Sequence, residues 1–308
     1  MPQRWRVLVC DGLAQAGLDC LSQEADVTLD DLSALGDVDA WIVRGRTRVD
    51  DGALESAAPP LRVVGRAGVG VDNIDLEAAR RRNVMVVTAP EATTNAVAEH
   101  TVALLLALAR RLPGADAAVR RGEWPKNEFV GIEIRGKTLG LVGFGRIARA
   151  VAALASGFGM RVLAHDPLVS EAAIRDAGVE PAALGSVLEG ADFVSVHVPL
   201  TSENRHLIDR RALGRMKPGA YLVCTARGGL IDEGALLEAL DAGRLAGAAL
   251  DVFEAEPPGA AALVRHPRLV ATPHIGAQTV EAQARVSVEI AGEVLGALRG
   301  ETPRWRVA

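Results

Sequence analysis

An α/β protein made of two doubly wound parallel-sheet domains, one inserted into the other, is what this 308-residue sequence predicts. Three observations predict it. Short apolar runs alternate with helical patterns over the first ninety residues, implying a small parallel sheet with helices on both faces. Near the middle, an apolar strand, a glycine-rich turn and a helix start are followed by a second strand ending in an acid. Further strand–helix units then continue towards a last helix.

In chain order, the candidate strands of the first part are Arg6–Cys10, Ala40–Arg44, Arg62–Arg66 and Val84–Thr88, and the candidate helices are Gly12–Glu24 and Asp75–Arg82, with Asp75 as N-cap. The segment Thr93–Arg111, TTNAVAEHTVALLLALARR, is apolar nearly all round its middle. Such a helix must be buried, between domains or at a subunit contact. Later strands are expected at Phe193–Val198, Ala220–Cys224, Gly247–Leu250 and Leu269–Ala271, with helices at Glu233–Ala242 and Gln278–Leu298. The last helix returns to the first domain, so the chain divides into residues 1–91 with 276–308 and an inserted 92–275.

Composition narrows the class. Hydrophobic residues at 49% and charged residues at 24% are ordinary for a globular enzyme. A net charge of −5 and an isoelectric point near 5.8 argue against a nucleic-acid surface. Cys10, Cys20 and Cys224 form no C-x-x-C pair, so neither a disulfide framework nor a metal site is expected. The start, MPQRWRVLVCDG, has too short an apolar run for a signal peptide, and Val102–Ala109 is far below membrane-spanning length. A cytoplasmic protein without a membrane partner is expected.

Lys137–Ala148 reads KTLGLVGFGRIA, and Arg161–Pro167 reads RVLAHDP. Gly143, Gly145 and Ala148 fit G-x-G-x-x-G/A, with Asp166 twenty-three positions beyond Gly143. The first glycine allows a tight turn and the second lets a pyrophosphate approach the backbone. Ala148 keeps the helix close to the strand, and the helix N-terminus offers N–H donors to the phosphates. A carboxylate at the end of the second strand accepts from the ribose 2′-OH of NAD and repels the 2′-phosphate of NADP. HDPLVSE supplies no Arg or Lys to reverse that choice, so NAD is the expected cofactor.

Ligands in doubly wound sheets bind beyond the carboxyl ends of the strands. Arg227, Glu256 and His274 lie beyond such ends. Together they suit hydride transfer between a 2-hydroxy and a 2-keto acid. The guanidinium grips the substrate carboxylate, the imidazole exchanges a proton with the reacting oxygen, and the carboxylate orients the imidazole. On spacing alone the plainer alternatives stay open: a solvated arginine in a turn, an exposed acid before Pro257-Pro258, and a structural histidine after proline.

The chain resembles the D-isomer-specific 2-hydroxyacid dehydrogenases over nearly its whole length. The resemblance rests on VVGRAGVGVDNIDLEAA (Val63–Ala79), AVAEHTVALLLALAR (Ala96–Arg110), LGLVGFGRIAR, TARGGLIDEGALLEAL (Thr225–Leu240), GAALDVFEAEPP (Gly247–Pro258) and TPHIGAQTVEAQ (Thr272–Gln283). It implies a Rossmann NAD-binding domain over 92–275, inserted into a flavodoxin-like substrate-binding domain. It also implies Arg227 as substrate clamp, Glu256 as partner carboxylate and His274 as acid and base. Arg146 and Ile147 would meet the pyrophosphate and Asp166 the ribose. His197, Val198, Thr225, Ala226, Asp251, Gly276 and Ala277 would complete the cofactor site. The backbone around Val69 and Gly70, within Gly68–Gly70, would form a nest for the substrate carboxylate. From the residues themselves, Arg44, Arg46 and Arg48 cluster after the Ala40–Arg44 strand where the smaller domain faces the cleft, and with Arg66 they suit a substrate phosphate, since guanidinium matches phosphate geometry; a solvated basic loop stays open as the alternative for Arg46 and Arg48. The substrate implied is 3-phosphoglycerate, oxidised to 3-phosphohydroxypyruvate, and the assembly implied is a homodimer.

The chain departs from the family at Ala92-Thr93, where Gly-Asn is common, and at Val198, where threonine is common. It stops at Ala308, so a short form without the regulatory domains of longer members is expected. His100 is expected to be structural. His165 precedes the ribose acid, and His206 and His266 read as loop residues. Two rival functions share the pattern: another D-2-hydroxyacid dehydrogenase acting on hydroxypyruvate, glyoxylate or phenylpyruvate, and a non-enzymatic NAD-binding corepressor.

Overall fold

A computed structural model describes residues 4–57 and 59–308. The chain folds as two compact units, Met1–Thr94 with Ala277–Ala308, and Asn95–Gly276. Each unit is built on one sheet, and both sheets are wholly parallel.

The first unit runs β1 (Trp5–Val9), α1 (Gln15–Leu21), β2 (Ala25–Leu29), β3 (Ala40–Val43), α2 (Asp51–Ala57), β4 (Val63–Arg66), α3 (Leu76–Arg81) and β5 (Met85–Thr88). Its strand order is β2-β1-β3-β4-β5. Period-2 alternation explains how it covers both faces. Val7, Val9 and Ile42 enter one core, while Leu8, Trp41 and Val43 enter another with Leu54 and Ala78. Asp75 caps α3 as predicted, accepting the N–H of Ala78.

Two expectations change here. The helix predicted over Gly12–Glu24 shrinks to Gln15–Leu21, because Asp11 and Gly12 are left-handed (φ 68° and 75°) and Ala14 is extended. Ala25–Leu29 becomes an edge strand beside β1. Three of its five residues are polar or exposed, so no apolar run marks it in the sequence.

The second unit begins within α4 (Thr94–Arg110) and continues through α5 (Leu112–Arg120), β6 (Thr138–Val142), α6 (Arg146–Gly157), β7 (Arg161–His165), α7 (Glu171–Asp176), β8 (Glu180–Pro181) and α8 (Leu184–Gly190). It then adds β9 (Phe193–Val196), α9 (Arg210–Arg215), β10 (Ala220–Cys224), α10 (Glu233–Asp241), β11 (Leu245–Leu250) and β12 (Leu269–Ala271), after which α11 (Val280–Leu298) belongs to the first unit. The order is β12-β11-β10-β9-β6-β7-β8. The chain steps outward from β6 and returns at β9 on its other side. The carboxyl ends of β6 and β9 therefore flank the point of reversal, where such sheets bind ligands.

The apolar helix is buried by its own unit. Ala98, Val102, Leu105 and Leu108 pack into the core containing Leu139, Leu141 and Val151. This corrects the expectation that its apolar surface needs another domain or a subunit contact. The helix also ends a residue early, because Arg111 turns left-handed (φ 54°) before α5 begins. Around α5 the exposed apolar residues are Leu112, Val119, Trp124 and Val130.

The unit boundaries differ slightly from the sequence division. Ala92 stays with the first unit, its N–H donating to Glu289 and its carbonyl accepting from Arg285, both on α11. Gly276 stays with the second, its N–H donating to Asp251. Among the described residues, no helix is long and apolar enough to cross a membrane.

Candidate active site

Arg227, Glu256 and His274 all fall in the second unit. Each follows a strand of the parallel sheet: Arg227 lies beyond β10, Glu256 beyond β11 and His274 beyond β12.

His274 Nδ1 and Glu256 Oε2 are 2.8 Å apart. The other carboxylate oxygen accepts the Phe253 N–H at 3.2 Å. Burial alone would raise the Glu256 pKa. The hydrogen bond and charge of His274, with the Phe253 N–H, outweigh it and hold the carboxyl below its ordinary range. An anionic acceptor places the Nδ1 proton on the Glu256 side of the ring. Nε2 then faces away, on a side chain that is 51% exposed.

Asp251 holds the loop that carries the imidazole. Its carbonyl accepts the His274 N–H at 2.8 Å. Its carboxylate, 1% exposed, accepts the Thr272 hydroxyl at 2.6 Å and the N–H groups of Ile275 and Gly276 at 2.9 and 2.8 Å. Burial would raise this carboxyl too, but His100, Thr272 and the two N–H groups keep it below the usual range. Thr272 spends its proton on Asp251, so His100 Nε2 donates to the Thr272 hydroxyl at 3.1 Å. His100 is thereby tied to the Thr272–Asp251 pair. His274 itself is left-handed (φ 54°), held there by these bonds.

The Arg227 turn is braced from two sides. Arg227 Nη1 donates to the Ala226 carbonyl at 2.6 Å. Gly228 passes so close to the next loop that a Cβ there would lie 1.8 Å from the Phe253 carbonyl oxygen, so only glycine fits. From the other side, the His206 N–H donates to the Gly229 carbonyl at 2.7 Å, and its imidazole meets Glu254 at 3.0 Å. Glu254 also pairs with Arg205 and takes Glu233 on its N–H. Sequence reading leaves His206 as a plain loop residue and passes over Glu254. The acid pair DE and FEAE is visible, but the contact is not.

Thr225 is buried and donates to Thr101, whose own hydroxyl proton goes to the Val97 carbonyl. Burial pushes the Cys224 thiol up to about 11, which makes it an inert core group.

At the reversal point, Gly143 (φ 93°) sits where a Cβ would meet the His197 carbonyl and the Val198 side chain at 2.8 Å. At Gly145, the N-cap of α6, a Cβ would meet nothing within 4 Å, and no side chain caps the helix. Arg146 and Ile147 form the first turn of α6, and Ala148 is fully buried. Asp166 accepts the Phe144 N–H of the glycine turn at 2.7 Å and the Leu168 N–H at 2.8 Å. An open glycine, an uncapped helix start and a half-exposed acid beside it fit a dinucleotide. His197 is different from a solvent-facing histidine. Its Nε2 lies 2.9 Å from the Ser195 hydroxyl, and burial pushes its pKa down to about 4, so it is neutral.

In the first unit, considered by itself, Arg44 ends the β3 strand region half-buried, and Arg66 ends β4 with Nη1 donating to the Ala67 carbonyl. Val69 is exposed, followed by Gly70. Ala277 also belongs to this unit.

A doubly wound sheet with a glycine turn at its reversal point, and a carboxylate–imidazole pair beyond its later strands, defines a dinucleotide-dependent dehydrogenase class. Residues 102–276 match the family model described as D-isomer specific 2-hydroxyacid dehydrogenase, NAD binding domain. Over 96% of its length the chain is 46% identical to D-3-phosphoglycerate dehydrogenase 3, chloroplastic, of Arabidopsis thaliana, covering 52% of that protein. A solved structure of a Thermus thermophilus protein superposes with a TM-score of 0.88 at 38% identity, covering 98% of this chain and all of that one. A glyoxylate reductase structure from Paecilomyes thermophila gives 0.90 at 30% identity, over 100% of this chain and 99% of that one. The chain belongs to the D-isomer specific 2-hydroxyacid dehydrogenase family. It spans about half the length of the curated relatives it matches.

Proposed function

We propose that this chain oxidises 3-phosphoglycerate to 3-phosphohydroxypyruvate with NAD, the reaction that opens serine synthesis. The observation that carries the catalytic part is the 2.8 Å pairing of Glu256 with His274, with Arg227 on a braced turn of the same unit. The substrate part is supported by the 46% identity to a D-3-phosphoglycerate dehydrogenase.

In this reading the Arg227 guanidinium binds the substrate carboxylate through paired hydrogen bonds. His274 Nε2 takes the hydroxyl proton during oxidation and returns it to the carbonyl oxygen during reduction. Glu256 accepts from Nδ1, so the ring keeps one orientation and its charge is stabilised when protonated. NAD, when bound, would supply the hydride acceptor for the substrate carbon. Gly145, Arg146 and Ile147 hold its pyrophosphate and Asp166 its ribose. Arg227 and His274 meet both substrate and cofactor, with His197, Val198, Thr225, Ala226, Asp251 and Gly276 framing the site. Within the first unit, Arg44 and Arg66 are assigned to the phosphate, the Val69–Gly70 backbone to the substrate carboxylate, and Ala277 to the cofactor.

The working form is a homodimer in a reducing compartment, the cytoplasm. The free thiols of Cys10, Cys20 and Cys224 support the compartment. The exposed Leu112, Val119, Trp124 and Val130 around α5, rather than the buried α4, support the dimer.

The test is NADH-driven reduction of 3-phosphohydroxypyruvate, hydroxypyruvate, glyoxylate and phenylpyruvate by the purified chain. The phosphorylated acid should have the highest kcat/KM. Faster use of hydroxypyruvate or glyoxylate would replace this reading with a broader reductase, in line with the glyoxylate reductase likeness.

A further inference from the structure

We propose that Asp11 is a positioning residue that sets specificity for a phosphorylated substrate by organising the arginine-bearing loop after β3. This rests on the substrate reading above.

In the first sheet β1 lies between β2 and β3, so the chain leaves β1 on one side and returns on the other. The reversal point is at the carboxyl ends of β1 and β3, the position where doubly wound sheets of this strand order take ligands. Asp11 follows β1 and Arg44 follows β3. The Asp11 side chain is 7% exposed. Its Oδ2 accepts the N–H groups of Arg44, Arg46 and Thr47 at 3.0, 3.2 and 3.0 Å. Its Oδ1 accepts the Thr47 hydroxyl at 2.8 Å and lies 3.6 Å from Arg46 Nε. Asn73 holds the same loop by its carbonyls, donating to Arg44 at 3.0 Å and to Thr47 at 2.6 Å. Asp11 is itself left-handed (φ 68°), with its N–H on the Asp30 carboxylate.

A solvated basic loop needs no such frame. Arg44, Arg46 and Arg48 repel one another within five positions, and an unframed loop would spread them. A buried anion beneath the backbone offsets that repulsion and fixes the direction in which Arg44 and Arg46 leave the chain. Burial works against the Asp11 charge, but the Thr47 and Arg44 donors hold its carboxyl below the ordinary range, so it stays ionised. Guanidiniums placed in advance lose less freedom when they close on a phosphate.

Asp11→Asn keeps the volume but removes the charge, and with its amide oxygen on the backbone N–H groups it turns an NH₂ in place of the oxygen that accepts from Thr47 and faces Arg46. The KM for 3-phosphohydroxypyruvate should rise about 10-fold, the scale of one weakened charge-assisted contact. The kcat, the KM for NADH and kinetics on hydroxypyruvate should stay within about twofold. In an Arg44→Ala background the same change should add little, because it acts through that loop. Thr47→Val removes a single bond to Asp11 and should show the same pattern more weakly; it decides the matter if Asp11→Asn fails to fold. An unchanged KM in the variant that folds, or an equal loss on both substrates, overturns the role of Asp11 alone. A wild type that does not favour the phosphorylated acid overturns the substrate reading, and this inference with it.

Discussion

Glu256 and His274, eighteen residues apart, meet through a 2.8 Å bond between Oε2 and Nδ1. The pair leaves Nε2 as the ring atom available to a substrate oxygen, while Asp251 fixes the loop beneath it. That division of labour separates the proton carrier from its supports.

His274→Ala should therefore lose roughly 10²–10⁴-fold in kcat, the usual worth of a positioned acid. NAD binding, followed by quenching of intrinsic fluorescence, should persist. Glu256→Gln should lower kcat, because the ring loses the anionic acceptor that fixes Nδ1 as its donor and Nε2 as the atom facing the substrate. Wild-type rates across pH in both variants would count against the pair.

Asp166 governs the choice between NAD and NADP in the proposed reading. Asp166→Ala should narrow the preference measured as kcat/KM with the two cofactors, since both the ribose hydrogen bond and the repulsion of a 2′-phosphate disappear. The Phe144 N–H would also lose its acceptor, so KM for NAD should rise.

His197 gives the fold a signature in acid. Its ordinary value is 6.5 and burial lowers it to about 4. Between those values the unfolded chain binds a proton that the folded chain refuses, so this residue costs stability as pH falls from 6.5 towards 4. Above 6.5 it costs nothing. Thermal melts of His197→Gln should show a shallower loss of Tm than the wild type across that window.

The dimer proposal turns on the α5 region. Light scattering should give about twice the 32.2 kDa chain mass. Trp124→Asp, at a side chain 81% exposed, should shift the particle to the monomer without changing the melting temperature at low concentration. A wild type that is monomeric at micromolar concentration would refute the assembly.

Much of the fold is legible without coordinates because its signals are local. Alternating apolar runs at β3 to β5 and β10, the Asp75 cap and the Gly143–Ala148 turn each occupy a few adjacent residues, where steric and hydrogen-bonding rules act directly. Those patterns, with Asp166 on schedule, determined the α/β class and the dinucleotide turn. The edge strand β2 escaped because one of its sides stays exposed and polar. The long helix α4 was legible as buried but not as to what buries it. Its partners Leu139, Leu141 and Val151 lie some thirty to fifty residues away, on β6 and α6. The same is true of the Glu256–His274 pair, of Asp251 under the catalytic loop, of His206 against the Arg227 turn, and of Asp11 beneath Arg44, thirty-three residues on. These meetings follow from strand order, which puts β1 beside β3 and β11 beside β12. Strand order comes from burying two faces of each sheet at once, a property of the whole chain that no short stretch of residues carries.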